Sequence, residues 1–301
     1  MIYAQRPHFF AKANQGHCPS MHPWGGIPDL VTTYPLMPVL LQPHPLNHKK
    51  LHIALVGNPN SGKSSLFNSL TGLNQKVGNF PGVTVDKKTG TTQLDDRTQA
   101  ELIDLPGTYS LYPRRADEWV AYKVLMGADT DLKADVVLLV ADASNLKRNL
   151  LFCSQMIDLK IPVVMALTMN DIASKKGIKI DISGLEADLG IPVVAVNPRK
   201  NKGLHELKKV LAQVAKLGNN ATPRDFIDNK KLAPHAIDSI QELDSHLSDY
   251  AAVHYLINHE NFPLSNTLQQ KIEQIEIQHQ FNPTKTQAEE IMQRYTRIRQ
   301  I

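Results

Sequence analysis

Gly57-Asn58-Pro59-Asn60-Ser61-Gly62-Lys63-Ser64 follows directly on the apolar run Leu51-His52-Ile53-Ala54-Leu55-Val56. A strand that feeds a glycine-rich turn into a helix is the context in which this spacing binds a triphosphate. The backbone N–H groups of such a turn converge on phosphate oxygens, and the helix starting near Lys63 adds its partial positive charge. Lys63 is placed to reach the β- and γ-phosphates and Ser64 to hold Mg²⁺ through its hydroxyl, with Ser65 beside it in the same turn.

A phosphate cradle alone serves kinases, ATPases and GTPases alike, so other segments must decide. Asp104-Leu105-Pro106-Gly107 follows the strand-like Ala100-Glu101-Leu102-Ile103 and has the Asp-x-x-Gly form. In that setting the carboxylate holds Mg²⁺ through water, and the glycine N–H senses the γ-phosphate. Between the two motifs lies Val77-Gly78-Asn79-Phe80-Pro81-Gly82-Val83-Thr84-Val85, read as a mobile first switch. Its Thr84 would coordinate Mg²⁺ only when a γ-phosphate draws the loop in. A base-reading Asn-x-x-Asp is expected after a late strand, and Thr168-Met169-Asn170-Asp171 stands there, following Val163 to Leu167. Asp171 occupies the place of the carboxylate that accepts from guanine N1 and N2. Thr168 replaces the first asparagine, and it lacks the amide pair that reads N7 and ties this loop to the phosphate cradle. Guanine preference is expected in kind and weakened in degree. Val196-Asn197-Pro198-Arg199 falls where a last loop would cover the base.

Holding these segments at one edge requires alternating strands and helices. Apolar runs suggest strands at 51–56, 88–94, 100–104, 135–141, 162–167 and 192–196. Helices are suggested near 63–71, 117–126, 145–158, 181–189 and 203–216. This alternation predicts an α/β fold with a mainly parallel sheet covered on both faces, and ligand at the carboxyl ends of the strands. After Asn219-Asn220-Ala221-Thr222-Pro223 the strand pattern stops. Ile237, Ile240, Leu243 and Leu247 recur at near-helical spacing, and helices are plausible at 249–258, 265–280 and 284–300, with Asn282 or Thr284 capping the last. The expected organisation is an irregular leader over 1–50, an α/β domain over 51–218 and a small all-helical domain over 219–301.

Composition excludes several classes. Of the 301 residues 42% are hydrophobic and 21% charged, as in soluble globular proteins, and a formal charge of +4 is too small to argue for nucleic acid. Cys18 and Cys153 give neither a disulfide framework nor a zinc spacing, so a reducing cytoplasm is the expected setting. The leader carries His8, His17, His22, His44 and His48, but no pair has a closed metal-ligand spacing. The longest apolar runs are of strand length, far short of a membrane span.

Across about residues 51–301, the Gly57–Ser64 cradle, the Asn79-Phe80-Pro81-Gly82-Val83-Thr84 loop and Asp104-Leu105-Pro106-Gly107-Thr108-Tyr109-Ser110-Leu111 together resemble the cytoplasmic GTPase portion of the FeoB ferrous-iron transporters. The resemblance implies a P-loop GTPase domain and then a helical regulatory domain. It implies GTP or GDP, Mg²⁺ and an activating K⁺ as ligands, and a membrane core and small Feo accessory proteins as partners at the bacterial inner membrane. Carried over position by position, Lys63 and Ser64 bind phosphate and Mg²⁺, Thr84 and Gly107 are switch residues, and Asp171 reads guanine. Asn60 matches the asparagine that helps hold K⁺. Thr108 stands where some GTPases carry a water-positioning glutamine, so slow hydrolysis is expected. Arg114 and Arg115 are expected to be solvated or to face the helical part rather than to act as arginine fingers. Arg294-Tyr295-Thr296-Arg297-Ile298 resembles the segment shortly before the family's first membrane helix, so a fragment lacking the iron path is expected. Two further classes share the cradle. One is a GTP-dependent regulatory binding module. The other is a soluble ribosome-assembly GTPase, which would append a basic and aromatic RNA-binding surface that the tail after Pro223 has little of.

Overall fold

The computed structural model describes residues 51–72, 75–80, 85–128, 133–218 and 224–301. The expected leader, Cys18 and the switch residues Gly82, Val83 and Thr84 lie outside the described residues. All described residues fall within one compact unit.

Seven strands form one sheet: β1 (Leu51–Gly57), β2 (Gln75–Asn79), β3 (Asp86–Asp95), β4 (Thr98–Asp104), β5 (Val136–Asp142), β6 (Val163–Thr168) and β7 (Val193–Ala195). Their order is β2-β3-β4-β1-β5-β6-β7. The β4-β1-β5-β6-β7 portion is parallel, and β2 and β3 join antiparallel at one edge. Helices α1 (Lys63–Thr71), α2 (Ala116–Leu125), α3 (Leu146–Asp158), α4 (Asn170–Lys175), α5 (Ile182–Leu189) and α6 (Leu204–Leu217) alternate with the strands. Beyond them come α7 (Pro234–Leu243), α8 (Asp249–Asn258), α9 (Asn266–Gln278) and α10 (Pro283–Ile298), the last capped by the Asn282 side chain, which accepts from Lys285 N at 2.9 Å.

The apolar strand runs are continuous because both faces of the parallel portion are covered. Side chains alternate between faces along a strand. Ile53 and Leu55 therefore pack with Leu66, Phe67 and Leu70 of α1 and Leu207 and Leu211 of α6. Ala54 and Val56 go to the opposite core, shared with Val120, Phe152 and Met156. That second core continues without a break into Ile237, Ile240, Tyr250, Val253 and Ile298 of the later helices. The mainly parallel sheet and the helical tail agree with the sequence pattern. The segment around Val77 differs from its expected loop character: it forms β2, pairing Val77 with Lys88. Its one large apolar side chain, Val77, is 69% exposed, so no hydrophobic alternation announces the strand. Backbone bonds to β3 define it.

Among the described residues no helix is long and apolar enough to cross a membrane. Arg294 of α10 is wholly buried, bonded to Glu290 through Nε, to Asp158 of α3 at 2.8 Å and to Ser154 O at 2.8 Å. It holds α10 against α3.

Candidate functional site

β1 ends at Gly57, where the chain must turn beneath the carboxyl ends of the neighbouring strands. A Cβ there would lie 2.5 Å from Val140 O of β5, closer than real contacts allow, so only glycine passes. Asn60 has φ of 65° and Gly62 of 89°, and these left-handed steps wind Gly57–Gly62 into a loop around the start of α1. No side chain caps α1 and its first turn carries no acidic residue. The N–H groups at a helix start lack partners within the helix, which suits them to an anion.

Asp104, the last residue of β4, faces that loop because β4 is paired to β1 with Leu55 opposite Asp104. The Lys63 ammonium bonds the Asp104 carboxylate directly. Gly107 lies against the loop's backbone: a Cβ on it would sit 3.2 Å from Pro59 N and 3.4 Å from Gly57 O. Leu105 N donates to Leu55 O at 3.1 Å and Thr108 N to Gly57 O at 3.2 Å, so Leu105, Pro106 and Gly107 are threaded past the cradle. Thr108 is buried and its hydroxyl donates to Ser110 O at 2.8 Å, which turns it inward.

The segment after β6 comes to the same edge. Thr168 Oγ1 lies 2.6 Å from Ser61 O and 3.0 Å from Ala141 O. The expectation that Thr168 could not tie this segment to the cradle is therefore corrected: a hydroxyl only two bonds from Cα reaches Ser61 O because β6 ends beside the loop. Met169 takes φ of 55°, Asn170 opens α4, and Asp171 is exposed in its first turn. The Asn197-Pro198-Arg199 loop packs on α1, with Ser69 Oγ donating to Pro198 O at 3.3 Å. Ser64, Ser65 and Asn60 lie at the open side of the cradle, Ser64 and Asn60 exposed and Ser65 half-buried.

Three residues to which the motifs assign nothing sit in this arrangement. Asn170 Nδ2 donates to Leu167 O at 2.7 Å. The Arg148 guanidinium lies 4.0 Å from the centre of the Tyr109 ring, and its carbonyl accepts from Asn58 Nδ2 at 3.3 Å. The Asn170 bond is local, three residues back along the chain, whereas Arg148 meets Tyr109 and Asn58 across long stretches of sequence, which motif spacing does not encode. Arg114 and Arg115 are exposed, and their backbone N–H groups donate to Glu118 at the start of α2. Among the described residues no cluster of His, Cys, Asp and Glu is arranged to hold a metal on its own.

The profile of the family described as ferrous iron transport protein B matches residues 51–211, more than half of the chain. The Fe(2+) transporter FeoB of Leptospira biflexa is 46% identical over 165 residues, 55% of this chain and 23% of that protein. The Fe(2+) transporter FeoB of Salmonella typhimurium is 42% identical over 200 residues, 65% of this chain and 24% of that protein. The chain thus spans about a quarter of the length of the curated relatives it matches. Among solved structures, a GDP-bound NFeoB mutant from S. thermophilus superposes with a TM-score of 0.66 at 34% identity, covering 83% of this chain and 98% of that one. The cytosolic domain of L. pneumophila FeoB gives a TM-score of 0.68 at 32% identity, covering 83% of this chain and 96% of that one. The uncapped cradle, the Asp104–Gly107 strand end and the match over residues 51–211 agree, and the chain belongs to the ferrous iron transport protein B (FeoB) family.

Proposed function

We propose that this chain binds and hydrolyses GTP and that its nucleotide state gates ferrous iron passage through an FeoB-type membrane core at the bacterial inner membrane. The observation that carries the reading is the convergence of Lys63, Asp104 and Gly107 on the uncapped start of α1. The Lys63 ammonium finds its counter-charge in Asp104. A bound Mg²⁺ nucleotide would take Lys63 onto its β- and γ-phosphates and leave Asp104 to the ion's water shell. Gly57 to Ser65 would wrap the phosphates, Ser64 and Thr84 would ligate Mg²⁺, and Gly107 with Gly82 and Val83 would respond to the γ-phosphate. Asp171 would read guanine, with Thr168, Met169, Asn197, Pro198 and Arg199 walling the base. Asn60 would share a K⁺ with the phosphates, placing positive charge where the transition state develops negative charge. The inward turn of Thr108 supports slow hydrolysis, because its hydroxyl is already used by Ser110 O. Small Feo accessory proteins are the expected partners of the assembled transporter.

Phosphate release from GTP, measured in potassium and in sodium buffers for the unaltered chain and for Asn60→Ala and Lys63→Ala, tests the reading. The expected result is a slow Mg²⁺-dependent turnover that is faster in potassium, loses the potassium advantage in Asn60→Ala and is abolished in Lys63→Ala. Turnover of ATP at the GTP rate, or full activity in Lys63→Ala, would overturn it.

A further inference from the structure

We propose that base recognition in this chain is divided among three side chains of the β6–α4 segment. Thr168 ties the segment to the phosphate cradle, Asn170 is a positioning residue that sets its angle to the base-covering loop, and Asp171 reads the guanine edge while purine N7 goes unread by Thr168. The proposal rests on the guanine reading above and adds how the preference is produced.

A threonine hydroxyl carries one hydrogen. At Thr168 two carbonyl oxygens draw on it, Ser61 O at 2.6 Å and Ala141 O at 3.0 Å, and the side chain is 2% exposed. Purine N7 is an acceptor and is recognised only by a donor. Turning the Thr168 hydrogen toward a base would exchange one bond for another and leave a buried carbonyl at the end of β5 or in the cradle unsatisfied, a net loss. The tie to the cradle is kept and the N7 contact is given up.

The amide missing at position 168 is present two residues later. Asn170 Nδ2 donates to Leu167 O at 2.7 Å, and its second hydrogen faces Val196 O at 3.5 Å. Leu167 O also accepts from Val196 N at 2.9 Å. One side chain therefore bridges the end of β6 and the start of the loop that carries Asn197, Pro198 and Arg199. The bridge secures a strained turn: Met169 holds φ of 55°, a left-handed value that non-glycine residues adopt rarely and keep only when the surroundings enforce it. Asp171 is the next residue after Asn170 and is exposed, so the backbone that carries it is placed by that turn and that bridge. A base seated between the two loops would meet the carboxylate at an angle that the Asn170 amide fixes.

Equilibrium binding of GDP, 7-deaza-GDP and ADP to the full chain tests the division of labour, with Thr168→Asn and Asn170→Ala as variants. The unaltered chain should bind 7-deaza-GDP within about twofold of GDP, since no Thr168 hydrogen bond to N7 is lost. Thr168→Asn should separate the two, favouring GDP by about two- to tenfold, the range of a single net hydrogen bond. Asn170→Ala should weaken GDP by about two- to tenfold and leave ADP unchanged, because adenine has no N–H at N1 and no amino group at C2 for Asp171 to accept from. A loss shared equally by GDP and ADP would mean only a structural role for Asn170 and would overturn its place in the proposal, as would no loss at all. Tenfold or greater preference for GDP over 7-deaza-GDP in the unaltered chain would overturn the N7 assignment. ADP bound as tightly as GDP by the unaltered chain would instead overturn the guanine reading itself, and the proposal with it.

Discussion

His254 of α8 shows how a single buried side chain ties stability to pH. Its ring is wholly buried among Tyr112, Tyr122 and Tyr250, with centroids 5.1, 5.5 and 4.6 Å away. Asn258 Nδ2 donates to the Tyr122 oxygen at 3.0 Å, and the same hydroxyl is hydrogen-bonded to His254 Nδ1 at 3.2 Å. The other ring nitrogen, Nε2, has no hydrogen-bond partner among the described residues. Burial, reinforced by the nearby Arg294 charge, pushes the pKa from 6.5 down to about 3. Between those two values the unfolded chain binds a proton that the folded chain refuses, so this residue's contribution to stability is complete above pH 6.5 and is lost as pH falls. The slope is about 1.4 kcal/mol per pH unit. Urea midpoints of the unaltered chain and of His254→Gln, taken at pH 7 and pH 4.5, should show the former losing about 2–3 kcal/mol more than the variant. Equal losses would mean that other groups set the acid limb.

At the scale of an element, α3 is the beam on which the molecule is assembled. Every residue from Asn149 to Asp158 is buried, including Ser154, Gln155 and Asp158. Ser154, Gln155 and Asp158 are tolerated there because each finds a partner, Ser154 Oγ donating to Leu151 O at 2.7 Å. Gln155 Oε1 accepts from Leu111 N at 2.8 Å, just past the Asp104–Gly107 strand end, and Gln155 Nε2 reaches Glu290 Oε1 of α10 at 3.4 Å. Asp158 accepts from Asn229 Nδ2 at 2.8 Å and pairs with Arg294. Truncating Arg294 strands two buried carboxylates, a loss of about 3–5 kcal/mol for Arg294→Ala. Arg294→Lys should recover only part of it, because one ammonium cannot span Glu290, Asp158, Ser154 O and Asn229 Oδ1 as the guanidinium fork does. Urea unfolding of both variants checks this, and a loss below about 1 kcal/mol would be the behaviour of a solvated surface pair. Cys153 of the same helix has its thiol pushed up by burial, so it stands as a core residue rather than a nucleophile.

For the molecule as a whole, the apolar core beneath α2 and α3 is continuous with that of α7, α8 and α10. Two bodies that share one core and a buried ion cluster cannot melt independently without opening both. Calorimetry of the full chain should therefore give one transition for the described fold, with matching calorimetric and van't Hoff enthalpies. Two resolved peaks, with α7–α10 lost first, would show that the helical part is held on more weakly than its burial implies. The coupling also bears on function, because a displacement of the segment from Gly107 to Leu111 has a hydrogen-bonded route through Gln155 to α10.

Most of the element pattern was legible in the chain because the physics that dictates it is local. Continuous strand runs such as Val136 to Val140 announce burial on both faces, and the spacing of Ile237 and Ile240 announces a helix. The cradle was legible for the same reason: Gly57, Gly62 and Lys63 encode a turn and a helix start within eight residues. Strand β2 was not, since Gln75 to Asn79 has no apolar alternation and exists through its backbone bonds to β3. Residue types and spacing determined that this chain carries a phosphate cradle with an Asp-x-x-Gly partner on an α/β sheet. Only the tertiary structure decided that Thr168 reaches Ser61 O, that Asn170 bridges two loops, and that Arg294 is folded inward onto Asp158. Those bonds join residues 107, 26 and 136 positions apart, and such separations are closed by packing of the whole chain rather than by any local preference.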